Sequence, residues 1–404
     1  MAIALMQLEL SEKLKPVIIS DNYDECRILV RFHRQPLGWV SFKEITGGFI
    51  STEELEVKIK KQVGWPLVEK AFINYVKEQE DTFSSFGPIS IVVCTRNRTK
   101  QLAECLKSLF ALEYSTYEII IVDNAPDNED TYNLAKKFPV RYVREERPGL
   151  DWARNRGIAE ASHTIIAFTD DDVHVDRYWL QVIARAFFNP DVMAVTGYVA
   201  PAELETPAQK LFELGYGGMG HGFKQKRIQR DVLIDRQLLW ASSFGVGANM
   251  AFRISVFDKI GFFDVALDVG TPSRGGGDIE MFHRLVVNGH LLIYEPGMLV
   301  YHAHRQSIAA LRRQIADNGC SFGCYLIHCF QKRTVKRSSV ISFFLIDWLY
   351  RWNMKNLLRP SGKIPRYLSF IELMGMLKSP LAYRATQIHA AKIKKRHESE
   401  NQHQ

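Results

Sequence analysis

From Pro88 onward, short apolar runs alternate with stretches of helical spacing, and few architectures accept that pattern. Ile89 to Cys94 (ISIVVC), Glu118 to Val122 (EIIIV), Val140 to Val143 and Thr164 to Phe168 (TIIAF) read as strands. The nearly continuous apolar character of the first, second and fourth predicts strands buried on both faces. Between them, Leu102, Leu106, Leu109 and Phe110 recur at helical spacing, Asp130 to Lys137 is polar and helix-like, and Ala153 to Ala161 is helical. Strands alternating with helices predict an α/β fold, with a mainly parallel central sheet and right-handed crossovers. Ligands of such sheets sit beyond the carboxyl ends of the strands.

The flanks read differently. In residues 1–86 the run Cys26 to Phe32 is a strand, Gln35 to Gly38 a turn and Trp39 to Phe42 a returning strand, with a helix opening at Thr52 beside Glu53 and Glu54. The expected division is a small N-terminal α+β extension (1–86), a central domain (87–306) and a helical, basic C-terminal region (307–404). A chain of 404 residues, 46% hydrophobic and 24% charged, can build a packed core. Its net charge of +7 is too mild to argue for nucleic acid. The six cysteines show no zinc-like pairing and read as reduced core thiols of a cytoplasmic protein. The N-terminus lacks a basic flank before its apolar stretch, so no signal peptide is expected. No run reaches the roughly 20 apolar residues that span a bilayer. Val340 to Trp352, apolar but broken by Asp347 and Arg351, reads either as a buried amphipathic helix or as an interfacial one. With Lys332, Arg333, Lys336 and Arg337 beside it, peripheral contact through 332–352 with the inner face of a membrane is the sharper expectation.

Polar clusters follow the strands: Thr95, Arg96, Asn97 and Arg98 after the first, Asp123 and Asn124 after the second, Asp170, Asp171 and Asp172 after the fourth. No GxGxxG follows the first strand and no GxxxxGK[ST] occurs, which disfavours dinucleotide oxidoreductases and P-loop enzymes. Three consecutive carboxylates repel one another, and burying one alone is costly. A Mn²⁺ or Mg²⁺ ion resolves that conflict, because hard cations take oxygen ligands and share them with a diphosphate. A helix cap would account for one aspartate, not three.

The segments ISIVVCTRNR, EIIIVDNAPDN, RPGLDWARNRGIAEA and TIIAFTDDDVHVDRYWL resemble, in order and spacing, the motifs of family 2 glycosyltransferases of the GT-A fold. The resemblance runs from about Pro88 to Arg305. It implies a nucleotide-sugar-dependent, hexosyltransferase-type enzyme. It also implies that Thr95, Arg96 and Asp123 lie at the nucleotide, with Arg154 near it. The triplet is similar to the family's DxD motif, with Asp170 and Asp171 on the donor side and Asp172, together with Asp170, as metal ligands. Val246 to Arg253 looks like an acceptor-side strand, and Phe262-Phe263-Asp264 resembles a turn of the family. At Gly277-Asp278 most members carry Glu-Asp; here the first acid is missing, and Asp278 matches the catalytic base of inverting members, with Glu280 as the alternative base. Val300 to His304 resembles the segment whose histidine completes the metal shell, which nominates His302 ahead of His304. Thr206 to Trp240, without a regular period, reads as an acceptor-facing region, with Trp240 as a sugar-stacking residue.

The expected chemistry is a direct displacement with inversion. The partners are a nucleotide-diphosphate sugar and a glycan or lipid-linked acceptor, as in polysaccharide or cell-envelope biosynthesis. Two other readings compete. A sugar-phosphate nucleotidyltransferase would carry glycines where TRNR stands, and a non-catalytic nucleotide-sugar or carbohydrate binder draws its support from Gly277.

Overall fold

The structure, a computed structural model, describes residues 2–45, 48–80, 87–358 and 364–401. The N-terminal extension comprises β1 (Ala2–Glu9), β2 (Val17–Ile18), β3 (Tyr23–Phe32), β4 (Gln35–Lys43), β5 (Phe49–Ile50), α1 (Thr52–Gln62) and α2 (Trp65–Glu80). The expected turn at Gln35 to Gly38 lies inside β4. The chain reverses instead at His33-Arg34, where His33 has φ 51°. Pro36 is tolerated there because β4 pairs only with β3, and a register shift opposite Val30 and Arg31 absorbs it. Helix α1 is capped by Ser51, one residue before the expected start. The Ser51 hydroxyl accepts from the Glu54 N–H, and the Glu54 carboxylate accepts from the Ser51 N–H. The expected boundary at residue 86 lies outside the described residues. The extension docks on the rest of the chain through a buried Arg31–Asp176 ion pair of 2.5 Å and a Trp39 Nε1–H bond of 2.8 Å to the Tyr198 hydroxyl.

The central domain follows the alternation read from the sequence. In chain order come β6 (Ile89–Thr95), α3 (Thr99–Phe110), β7 (Tyr117–Asn124), α4 (Asp130–Ala135), β8 (Arg141–Glu145), α5 (Leu150–Glu160), β9 (Ile165–Asp170) and β10 (Val173–Val175). Then come α6 (Trp179–Ala186), β11 (Val192–Pro201), α7 (Pro207–Lys210), β12 (Lys226–Ile228), α8 (Asp235–Leu238), β13 (Asn249–Arg253), α9 (Ser255–Ile260), α10 (Gly277–Val287) and β14 (Leu291–His302). The sheet order is β10-β14-β11-β13-β9-β6-β7-β8, with β12 also on β14. β6 to β9 pair in parallel and β11 pairs in parallel with β14, while the short β10, β12 and β13 run against them. The sheet is thus mainly parallel, as the alternation of strands and helices predicts. Side chains of β6 alternate between two cores: Val92 and Cys94 enter one, and Ile89, Ile91 and Val93 the other.

The C-terminal region is helical: α11 (Ile308–Lys332), α12 (Arg337–Ser342), a π-helical stretch Phe343–Met354, α13 (Lys355–Leu358) and α14 (Arg366–Asn401). Helices α11 and α14 touch backbone to backbone, since a Cβ at Gly319 would lie 2.1 Å from the Glu372 carbonyl oxygen. The segment from Val340 to Trp352 is amphipathic. Val340, Phe343 and Trp348 are buried against the central domain, and Ile341, Leu345, Ile346 and Tyr350 are exposed. Trp240 packs against Phe322, Phe343 and Trp352 at centroid distances of 5.5, 5.1 and 6.4 Å. Its ring serves as packing between the domain and these helices, not as a sugar platform. All six cysteines are buried free thiols.

Candidate active site

The aspartate triplet straddles a strand end. Asp170 is the last residue of β9, and Asp171 and Asp172 form the tight turn into β10. β10 then pairs antiparallel with the far end of β14, with Val173 opposite His302. That register carries His302, 130 positions away in sequence, to the turn: its Nε2 is 3.4 Å from Asp172 Oδ1. Asp170, Asp172 and His302 each place one potential ligand atom within 4.8 Å of the others. Asp172 Oδ1 and His302 Nδ1 are buried and have no hydrogen-bond partner among the described residues. Two carboxylate oxygens, an imidazole and buried unpartnered atoms suit a divalent cation that completes its shell with diphosphate oxygens. Burial opposes ionisation of Asp172, yet His302 and Arg98 hold its pKa below the usual carboxylate range. Asp170 goes the other way, pushed up to about 6 by burial against the pull of Arg154.

The middle aspartate departs from expectation. Asp171 is buried; Oδ2 accepts from the Thr95 hydroxyl at 2.7 Å and Oδ1 from Arg98 at 2.6 Å. Arg98 also spans to Asp172 Oδ2 at 2.7 Å. Thr95 and Asp171 are therefore bonded to each other and brace the turn from inside, and Arg96 is exposed. The arginine of the TRNR segment that reaches the triplet is Arg98, to which sequence reasoning gave no role of its own. Its only signal was its place in a polar cluster behind a buried strand.

Asp123, at the end of β7, is fully buried. Oδ2 accepts from the Tyr142 hydroxyl at 2.9 Å, and Oδ1 has no hydrogen-bond partner among the described residues. Burial raises its pKa against the influence of Tyr142 and Arg144. A buried, half-satisfied carboxyl at a strand end is a natural acceptor for a base or ribose donor group.

A second lobe opens beside Asp170, in a cavity of about 140 Å³ whose walls include Asp151, Arg154, Gly247, Asp268 and Asp278. Arg154, on the buried face of α5, donates to Asp151 Oδ1 at 3.0 Å and lies within the field of Asp170 and Asp278. Burial would lower its pKa, but these carboxylates raise it beyond the ordinary arginine value. Asp278 opens α10, half-buried. Its Oδ2 accepts from the Gly247 N–H at 2.8 Å and its Oδ1 from the Ile279 N–H at 2.9 Å. Gly276, with φ 106°, turns the chain into that helix in a conformation reserved for glycine. Glu280 faces elsewhere. Arg284 grips its carboxylate at 2.9 to 3.2 Å and His328 of α11 lies 3.7 Å away, so the alternative base is a buried strut between α10 and α11. His304 is likewise set apart, its Nε2 3.1 Å from Glu213.

Residues 90–261 match the family described as Glycosyl transferase family 2. Over 237 residues the chain is 30% identical to the glycosyltransferase AglE of Haloferax volcanii, covering 56% of this chain and 70% of that protein. The chain is a family 2 glycosyltransferase. It is also 23% identical over 190 residues to a glucosyl-dolichyl phosphate glucuronosyltransferase of the same organism, covering 44% of this chain and 56% of that protein. A poly-beta-1,6-N-acetyl-D-glucosamine synthase of Staphylococcus epidermidis is 25% identical over 234 residues, covering 56% of this chain and 52% of the synthase. The chain thus spans little more than half the length of these two relatives. Among solved structures, a mannosyltransferase from Pyrobaculum calidifontis in complex with GDP-Man and Mn²⁺ aligns with a TM-score of 0.49 at 13% identity, covering 76% of this chain and 94% of that one. This glycosyltransferase therefore presents two adjoining groups of side chains that share Asp170, one rich in metal-type ligands and one holding Arg154 and Asp278.

Proposed function

We propose that the enzyme transfers a sugar from a nucleotide-diphosphate donor to a hydroxyl of a glycan or lipid-linked acceptor, with inversion at the anomeric carbon. The observation that carries this reading is the Asp170–Asp172–His302 cluster beside the Asp278 lobe. Asp170, Asp172 and His302 would hold Mn²⁺ or Mg²⁺. That ion, when bound, neutralises charge on the departing nucleoside diphosphate. Arg98 fixes the orientation of Asp172 through its 2.7 Å bond, so the ligand does not have to be ordered on binding. Asp123 Oδ1 accepts a donor hydrogen from the nucleoside. Asp278, held by two backbone N–H groups, takes the proton of the attacking hydroxyl as the new bond forms. Arg154 balances the negative charge between the lobes.

The acceptor reading includes an anionic membrane surface. No helix among the described residues is long and apolar enough to cross a membrane. Ile341 and Leu345 from one side and Leu377 and Pro380 from the other instead line an apolar groove of about 430 Å³, with Leu381 79% exposed beside it. Lys332, Arg333, Lys336, Arg337, Lys378 and Arg384, all exposed, lie within a few residues of these lining segments in the chain, and the only acid between Arg366 and His397 is the buried Glu372. An exposed apolar groove rimmed by cations suits an anionic lipid headgroup region. The match to a glucosyl-dolichyl phosphate glucuronosyltransferase adds support for a lipid-linked acceptor.

The direct test is release of nucleoside diphosphate from nucleotide sugars with Mn²⁺. Asp278→Asn is expected to lower kcat about 100-fold or more while leaving donor binding intact. Wild-type turnover in that variant would remove the assigned base.

A further inference from the structure

Helix α10 begins against a carboxylate from another helix. A Cβ on Gly277 would lie 1.8 Å from Asp151 Oδ2, and a Cβ on Gly149 would lie 2.4 Å from Asp268 Oδ2. Only glycine leaves room for these two acids at these two places. Asp151 and Asp268 are each 1% exposed, and both line the cavity with Arg154 and Asp278. The Asp151 backbone N–H donates to Asp268 Oδ2 at 2.9 Å, and Asp151 Oδ1 accepts from Arg154. What remains is one oxygen on each carboxyl, Asp151 Oδ2 and Asp268 Oδ1, buried and with no partner among the described residues. Leaving such atoms unsatisfied costs roughly 1–3 kcal/mol each, so a protein that keeps two of them on residues lining one cavity needs a reason.

We propose that Asp151 and Asp268 form a carboxyl pair that binds hydroxyl groups of the acceptor, placing the attacking oxygen before Asp278. The inference rests on the transferase reading and extends it to the acceptor side. The chemistry selects a hydroxyl over a second cation. Among the described residues only Asp170, Asp172 and His302 gather as a metal-type set of three, so this pair lacks a third ligand for a cation. Burial together with the Asp268 charge raises the pKa of Asp151 well above the usual range, and burial pushes Asp268 up to about 7. Burial thus favours a shared proton on the pair, and a protonated pair offers both a donor and acceptors, as a hydroxyl requires. The same contact explains why the acid expected at position 277 has no room here. Its space is filled from α5, so the carboxylate reaches this wall from another element.

The experiment follows nucleoside diphosphate release from UDP-glucose, UDP-N-acetylglucosamine and GDP-mannose with Mn²⁺, using water and then glycerol as hydroxyl acceptors. Asp151→Asn and Asp268→Asn are expected to lower kcat about tenfold or more with donor KM and Mn²⁺-dependent donor binding unchanged, because a hydrogen bond to a charged or buried group is lost only on the acceptor side. Gly277→Ala is expected to lower Tm in the wild-type background and to cost little further Tm in Asp151→Ala, where the clashing carboxylate is gone and kcat stays low. The double variant Asp151→Ala/Gly277→Glu, which returns a carboxylate from α10, is expected to recover part of the turnover lost in Asp151→Ala. Wild-type kcat in both asparagine variants, or an equal Tm loss from Gly277→Ala with and without Asp151→Ala, overturns the proposal. A wild-type chain that binds no donor and releases no diphosphate would instead count against the transferase reading, and the Tm pair then reads the Asp151–Gly277 contact by itself.

Discussion

Arg98 and Glu280 show how one residue's surroundings decide its role. Arg98 bridges Asp171 and Asp172, so the carboxylates of the turn stay oriented in the absence of a cation. Glu280 has the opposite setting: it is 2% exposed, gripped by Arg284, and not part of the cavity wall that Asp278 occupies. Removing one partner of a buried ion pair costs about 3–5 kcal/mol. Glu280→Ala is therefore expected to lose stability on that scale in chemical denaturation, while each folded molecule keeps the wild-type kcat. A kcat collapse in folded Glu280→Ala would return it to the list of bases. Arg98→Ala should behave conversely, with the larger change in Mn²⁺ affinity and the smaller one in Tm.

At the scale of elements, two π-helical turns converge on one buried acid. The Tyr216 hydroxyl, from the stretch Leu211–Tyr216, donates to Glu372 Oε1 at 2.5 Å, and Trp352 Nε1–H donates to Oε2 at 3.0 Å. Burial nonetheless raises the Glu372 pKa from 4.5 to about 7. The folded protein thus holds this proton more tightly than the unfolded chain does. The associated stability is fully present below about pH 4.5 and is lost as pH rises to about 7, amounting to roughly 3 kcal/mol. Glu372→Gln, which stays neutral, is expected to flatten this part of the stability profile and to leave Tm higher than wild type at pH 8. An unchanged slope between pH 5 and 8 would contradict the assignment. The strands and helices of the first half were legible because each is a local pattern: apolar runs for β6, β7 and β9, helical spacing for α3. What was not legible required distance. His302 reaches Asp172 only through the β10–β14 register, and Glu280 turns inward because Arg284 and α11 claim it. Trp240 is consumed by the C-terminal helices. The helix opening at Thr52 was legible, and the turn placed at Gln35 to Gly38 was a small local miss, because the chain reverses at His33-Arg34.

For the whole molecule, the C-terminal helices present two different faces. Their inner face closes the core of the transferase domain through Phe322, Tyr325, Phe343 and Trp348. Their outer face is apolar and cationic. Flotation with vesicles containing phosphatidylserine is expected to carry the protein upward, and with neutral phosphatidylcholine vesicles it is expected to stay below. Leu345→Glu/Leu377→Glu should abolish flotation without changing Mn²⁺-dependent donor hydrolysis. Equal binding to both vesicle types would remove the electrostatic part of this account. The catalytic account as a whole turns on whether the β9–β10 turn and the end of β14 hold a cation. Isothermal titration of Mn²⁺ into the nucleoside-diphosphate-saturated protein, comparing wild type with Asp172→Ala and His302→Ala, measures that directly. The expected result is a single site in wild type, weakened about 100-fold or more in Asp172→Ala and about tenfold or more in His302→Ala. Equal Mn²⁺ affinity in all three proteins would contradict it.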